Sequence, residues 1–591
     1  MRYKSKLRDG FQVYAVAGTN TVSFGIQADQ AARSGLLGFA VERIDPAKNE
    51  HYYIHGFKVF PSVVPQPNQD TYVSTYVHPI QSLVWDDFTA DPGHDYTYVF
   101  HPLAGTPKNL DRSRAAVSID IRTEPLHGET HDVSFNRGVA SSQAYARKFG
   151  NLAPSAQPSQ RKRREALQWL SRDLDEAMLE FIRTARRGDA IRGCFYEFTY
   201  APVLAALAAA IKRGVDVKLV VDCKVNEHTV NEKQLDGTLK PVFYKSDPRL
   251  RNLAAVTAAE LPPTAILRRG STIAHNKFMV LLTGHPPIPK QVWSGSTNLT
   301  EGGIHGQANV GHWIRDPTSA AKFHQYWELL ATDPGGRQGD SQSVVRARNR
   351  EFYESVDVIS PTPKREAIPP GVTPLFSPRS GLSPLELYVE LLDEATDLAC
   401  ITFAFTVPDL FKTALKNNSS DGPLCFLLLE KEDRPALNST KPFIRLNSED
   451  NVYMASGAEL QTTLGNWVVE TDTRKLGLNQ HVAFIHCKFL LHDALGDDPI
   501  VVTGSANFST ASTNDNDENM VILRVTGGSP TSTSPNSTGC STTTTSAPSR
   551  NAPPRPRRYA AYMVEDDSWL EKYRPGTLRS KRVECFVEMA L

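Results

Sequence analysis

Two short stretches of the chain hold the residues most able to do chemistry. The first reads Ala274-His275-Asn276-Lys277-Phe278-Met279-Val280 and is followed by Gly295-Ser296-Thr297-Asn298 and by Gln307-Ala308-Asn309. The second reads Ile485-His486-Cys487-Lys488-Phe489-Leu490-Leu491, then Asp493, Gly504-Ser505-Ala506-Asn507 and Glu518-Asn519. From each histidine the third block begins 32 residues on, while the asparagine of the Gly-Ser-x-Asn block lies 23 residues on in the first copy and 21 in the second. On a strand, alternation with period two turns His275 and Lys277 to one face, and likewise His486 and Lys488. Each copy thus offers an imidazole beside an ammonium. The Gly-Ser-x-Asn blocks add a tight turn, a hydroxyl (Ser296, Ser505) and a side-chain amide (Asn298, Asn507), all able to donate to phosphate oxygens. One imidazole cannot be nucleophile and leaving-group acid in the same step, but two facing copies supply both. A zinc site drawn from His275, His305, His481, His486 or His492 is the competing reading. It lacks a recognised ligand spacing, and two neighbouring lysines would repel the cation. The expectation is therefore chemistry at phosphorus with no metal and no cofactor.

Elements of a particular kind must hold these residues. The apolar runs Phe278–Leu282 and Phe489–Leu491 fit strands buried in a sheet, which puts the polar pairs at the edge of a core, where a cleft can form. Upstream of the first motif, Arg163–Arg186 has helical spacing, Gly193–Thr199 reads as a buried strand, Pro202–Arg213 as a helix and Val215–Asp222 as a strand. The same succession returns as a helix at Leu385–Ala395, a strand at Ala399–Thr406, a helix at Val407–Lys416 and a strand at Leu424–Glu430. Two α/β halves of one plan imply an internal duplication. Ahead of them, Gly10–Thr123 shows short runs rich in β-branched and aromatic residues between Gly, Pro, Asn and Asp, the pattern of an antiparallel sandwich of immunoglobulin or fibronectin type. Trp85 and Tyr98 are assigned to its core. The expected fold class is multidomain: an all-β sandwich over 1–145, a first α/β half over 146–345, a Pro-rich linker over 346–375 and a second half over 376–591.

His-x-Lys followed by Gly-Ser-x-Asn, present twice and completed by Asp493 in the second copy, resembles the HKD motif of the phospholipase D superfamily. The resemblance covers roughly Pro154 to the C-terminus and implies two pseudo-symmetric α/β halves whose motifs share one cleft. It further implies a phosphodiester hydrolase acting through a phosphohistidine, most often on phospholipids. A nuclease or a degenerate binding protein are the alternatives. Under the resemblance His275 is the nucleophile and His486 the acid, Lys277, Lys488, Asn298 and Asn507 hold the non-bridging oxygens, and the acidic position after Gly-Ser-x-Asn serves the histidine of the opposite half. Glu518 then orients His275, and Gln307 faces His486. The chain departs from the pattern at Leu282, which stands where Asp493 stands in the second half.

Whole-chain properties narrow the partners. At 591 residues the chain exceeds what one core sustains. Lys plus Arg equals Asp plus Glu at 65 each, so no overall positive field draws the protein to nucleic acid, although a local basic groove would. The seven cysteines are scattered without CxxC pairing and read as reduced thiols. A charged N-terminus and the lack of a long apolar run predict a cytoplasmic protein, compatible with peripheral contact with a membrane, whose active site needs no oligomer. The stretch 529–558 is dominated by Ser, Thr, Pro, Asn and Arg. Its bland reading is a disordered surface loop. Moved back by one nucleotide, its codons can encode an aromatic-rich amphipathic helix, so a compensated frameshift is hypothesised there. Resequencing the gene decides it.

Overall fold

In a computed structural model of the chain, all residues are described except 69–70, 138–144, 146–147, 151, 224–227, 234–238, 245–246, 262–263, 338, 419–421, 436–441, 457–484, 526–561 and 590–591. The stretch read as a disordered loop or a frameshift lies outside the described residues. The N-terminal part is strand-rich and holds two antiparallel sheets. One is built from Arg2–Lys4, Phe11–Ala17, Val22–Ala28 and Val84–Asp87, the other around the long strand Asp95–Thr106, which pairs with Gly38–Asp45, Asn109–Asp111 and Val117–Arg122. Alternation along Val117–Arg122 is strict, with Val117, Ile119 and Ile121 buried and the residues between them exposed. The sheets meet through aromatic rings: Phe24 lies 4.7 Å from Tyr98 and 5.2 Å from Phe100, centroid to centroid, and Trp85 stacks on Phe24.

Both α/β halves follow. In the first, a seven-stranded sheet runs His131–Phe135, Val310–Ile314, Ile288–Gly295, Lys277–Thr283, Ala190–Phe195, Asp216–Asp222, Ala265–Arg268. In the second, the strands Phe489–His492, Ile500–Gly504 and Asn516–Arg524 lie beside Leu398–Phe403, Leu424–Leu429 and Val452–Ser456. The parallel pair Leu398–Phe403 with Leu424–Leu429 is buried throughout and apolar but for Thr402, as strands covered on both faces must be, while Ala190–Phe195 with Asp216–Asp222 is buried except at Arg192, Asp216 and Lys218. The long helical stretch Arg163–Arg186 is two helices, Gln160–Ser171 and Leu174–Thr184, broken where Arg172 and Asp173 take positive φ.

Three boundaries differ from the sequence expectation. The strand His131–Phe135 pairs with Val310–Ile314, so the sheet of the first α/β half reaches back to His131 and the β-domain does not extend to 145. The region 346–375 is mostly regular structure: the helix Gln342–Ile359 fills its first part, and the strand Gly371–Ser377 pairs with Asn516–Arg524. The C-terminal segment does not complete the second half. It returns to the β-domain, where the Trp569 indole donates to the Leu36 carbonyl at 2.8 Å and the Tyr573 hydroxyl accepts from the Leu83 amide at 3.0 Å. Phe586 rests on Gly25, where a Cβ would meet its ring at 2.6 Å. Among the described residues no helix is long and apolar enough to cross a membrane.

Candidate active site

The two motifs sit where the halves interlock. The short strand Ile273–Ala274 adds in parallel to Asn516–Asp517 of the second half, and Ile485 bridges in parallel to Ala308 of the first. Each histidine follows directly on this crossing, and each lysine lies at or just before the start of the next strand. His-x-Lys therefore spans a bend between two strands rather than lying along one. Each lysine folds back on its own motif: Lys488 Nζ donates to the His486 carbonyl at 2.6 Å, and Lys277 Nζ to that of His275.

Across the interface each imidazole meets a residue of the other half. His275 Nδ1 lies 2.9 Å from both carboxylate oxygens of Glu518, and His486 Nδ1 lies 2.8 Å from Asn309 Oδ1. The partner of His486 is thus Asn309, and the expectation that Gln307 faces it is corrected. The reason is register. Asn298 to Asn309 and Asn507 to Glu518 are both 11 residues, whereas counting from the histidines carries the unequal lengths of the intervening loops. Ser505 donates to Glu518 Oε2 at 2.6 Å and Ser296 to Asn309 Oδ1 at 2.8 Å. Both serines are wholly buried. They hold the histidine partners, which corrects their expected role as direct phosphate ligands.

Asn298 and Asn507 follow on the Gly-Ser turns. Asn298 donates to Glu197 Oε2 at 2.6 Å, and the side-chain oxygens of both asparagines are buried without a hydrogen-bond partner among the described residues. Asp493 sits at the far end of the strand Phe489–His492 and accepts from the backbone amides of Thr396, Asp397 and Leu398, away from the imidazoles. Its counterpart Leu282 is buried in the apolar core. The missing acid thus changes a loop anchor and no group at the reacting centre.

Burial dominates the electrostatics. It depresses His275 to about 4 despite the opposing Glu518 carboxylate, and it pushes His486 well below its ordinary range, helped by the charges of Lys488 and Lys277. Lys277 falls to about 8, and Lys488 to about 7 with Lys277 beside it. Burial would raise Glu518, yet His275 and Lys277 outweigh it and hold the carboxyl below its ordinary value.

Four supporting residues escaped the sequence reading. Asp222 Oδ2 accepts from the Ala274 amide at 3.2 Å and Glu430 Oε2 from the Ile485 amide at 2.8 Å, so an acid fixes the backbone just ahead of each histidine. The signal was there, since each acid ends an apolar strand of its β-α-β unit. Arg268 of the first half binds Asp517, the neighbour of Glu518, with Nε 2.8 Å from Oδ2. The Tyr196 ring stands 4.9 Å from the His275 ring and 5.2 Å from Lys277 Nζ.

Residues 178–330 and 388–528, which contain both motifs and their partners, match the family model described as cardiolipin synthase, PLD-like domain. The chain belongs to the phospholipase D superfamily. Superfamily structures similar to it include the phosphatidylserine synthase of Haemophilus influenzae Rd KW20, at 13% identity over 71% of this chain and 94% of that one, with a TM-score of 0.40. Nuc from Salmonella typhimurium, a phospholipase D family member, aligns at 23% identity over 27% of this chain and 86% of its own, with a TM-score of 0.19. The polyphosphate kinase of Porphyromonas gingivalis aligns at 11% identity over 60% of this chain, with a TM-score of 0.36, and the match spans 46% of the kinase. No curated protein matches the sequence.

Proposed function

We propose that the chain is a phosphodiester hydrolase that acts on phospholipids through a phosphohistidine on His275. The observation that carries this reading is the pair of imidazoles whose Nδ1 atoms are each held by a side chain of the opposite half, which leaves both Nε2 atoms for chemistry. Nε2 of His275 attacks phosphorus, an N–P bond forms and the P–O bond to the leaving alcohol breaks. The departing oxygen takes the proton of His486 Nε2. Water then attacks phosphorus from the same side and gives its proton to His486, and the N–P bond breaks. Glu518 supports His275 in this role because a carboxylate on Nδ1 stabilises the positive charge that grows on the ring as Nε2 bonds to phosphorus. Asn309 gives His486 no such counter-charge, so its imidazolium forms when the substrate anion arrives and surrenders its proton readily. Lys277, Lys488 and the amides of Asn298 and Asn507 neutralise the non-bridging oxygens; removing one such donor typically costs about 3–4 kcal/mol of barrier.

Hydrolysis of bis(p-nitrophenyl) phosphate, phosphatidylcholine and single-stranded DNA by wild type, His275→Ala and His486→Ala tests the proposal. Wild type is expected to cleave the generic diester and the lipid in the presence of EDTA, and both variants to be inactive. Trapping during turnover should place phosphate on His275. Activity lost on chelation, or retained by either variant, overturns the mechanism, and cleavage of DNA alone overturns the substrate.

A further inference from the structure

The two halves match closely at most positions of the site. Asp222 answers to Glu430, Ser296 to Ser505, Asn298 to Asn507 and Lys277 to Lys488. Besides Glu518 and Asn309, they differ at one position beside the motif lysines. Phe195 pairs with Lys277 in the first sheet, and continuing the pairing of Ile401 with Leu490 by two residues sets Phe403 opposite Lys488 in the second. Two residues past each strand pair stand Glu197 and Phe405. Glu197 holds the Asn298 amide and acts on Lys277 through its charge. Phe405 is 60% exposed, and among the described residues no carboxylate bonds Asn507.

From this contrast, and resting on the reading of the cleft as a phosphodiester site, we propose that Glu197 is a charge filter that admits a phosphate carrying one negative charge and disfavours one carrying two. The amide expected to hold a non-bridging oxygen is already bound to a carboxylate, so the oxygen it receives lies close to a fixed negative charge. A diester monoanion spreads its charge over two oxygens and is balanced by Lys277 and Lys488. A terminal phosphate carries a second charge once its second proton leaves, near pH 6, and meets the half-buried Glu197 beside the buried Lys277 and Asn298, where screening is weaker than in open solvent. The filter would let the enzyme work among free phosphomonoesters, including a product released as one, without being held by them. Glu197 here tunes what the phosphate-holding groups accept and takes no bond-making part.

Binding of ethyl phosphate and diethyl phosphate to the full chain at pH 5.0 and pH 7.5, followed by phosphorus NMR, separates this effect from the titration of the lysines. The diester is a monoanion at both values and reports the titration of the site's own lysines and histidines, so the ratio of the two affinities reports ligand charge. In wild type the monoester is expected to weaken at least tenfold more than the diester between pH 5.0 and pH 7.5. Glu197→Gln, which keeps an acceptor for Asn298, should reduce that difference below threefold, and Phe405→Glu should enlarge it. An unchanged ratio in Glu197→Gln overturns the proposal. If that variant does not fold, Phe405→Glu decides by itself, and an unchanged ratio there is equally fatal. Wild type that cleaves no diester while showing the tenfold ratio would sink the hydrolase reading and leave the filter standing.

Discussion

At the scale of residues, the site is a set of charges whose partners come from the other half of the chain. The difference between Glu518 and Asn309 separates the two histidines chemically, and it can be altered by one atom group. Asn309→Asp would set a carboxylate against His486 Nδ1 and stabilise its imidazolium, raising its pKa. The acidic form would then persist to higher pH, so the alkaline limb of the kcat/KM profile for bis(p-nitrophenyl) phosphate should move upward. Gln307→Glu, two residues away, should leave that limb in place; a shift with Gln307→Glu and none with Asn309→Asp would contradict the assigned pairing. Residue types and their duplication were enough to find both histidines, both lysines and Glu518. The partner of His486 was missed because the count was taken across loops of unequal length, whereas the hydrogen bonds follow the sheet register. The serines were misassigned for a related reason, since a hydroxyl's partner depends on a neighbouring strand that no local pattern reveals.

At the scale of elements, crossed strands rather than a simple face-to-face contact hold the halves. Arg268, on the strand Ala265–Arg268, is buried with Asp517 and also pairs with the half-buried Asp333, and the Arg268–Asp517 ion pair lies one residue from Glu518. Replacing one partner of such a pair leaves a buried charge uncompensated, at a cost of about 3–5 kcal/mol. Arg268→Met should therefore lower the denaturation midpoint strongly, and Arg268→Met with Asp517→Asn should recover part of the loss. A single variant as stable as wild type would show that the pair does not brace the interface. The β-α-β units that carry these strands were readable in advance because their apolar runs and helical periods are local. The crossing itself was not readable, because Ile273–Ala274 is too short to signal a strand and its partner is far along the chain. The strand His131–Phe135 fell inside the 1–145 bound of the β-domain for the same reason, since only tertiary pairing says which sheet it joins.

At the scale of the whole molecule, buried histidines make the fold sensitive to acid. His131 Nδ1 lies 3.0 Å from His312 Nε2 between the paired strands, and burial lowers His131 to about 4 and His312 well below its ordinary value. His305 falls to about 4 for the same cause. In the unfolded chain these rings take up protons near 6.5, so between roughly 6.5 and 4 the unfolded state binds more protons and stability falls as pH falls. Above 6.5 both states are neutral at these rings and their contribution is complete. The thermal midpoint is expected to drop steadily from pH 7 to pH 5; a flat profile would mean the rings are protonated or solvated in the fold. The return of the C-terminal segment to the β-domain bears on how the protein is made. Synthesis delivers the β-domain before the α/β halves, yet the Leu36 carbonyl, the Leu83 amide and the bare surface at Gly25 gain Trp569, Tyr573 and Phe586 only after both halves have emerged. The β-domain is therefore finished only after the two halves that follow it in the chain, and until then it carries an open apolar seam of the kind that chaperones hold.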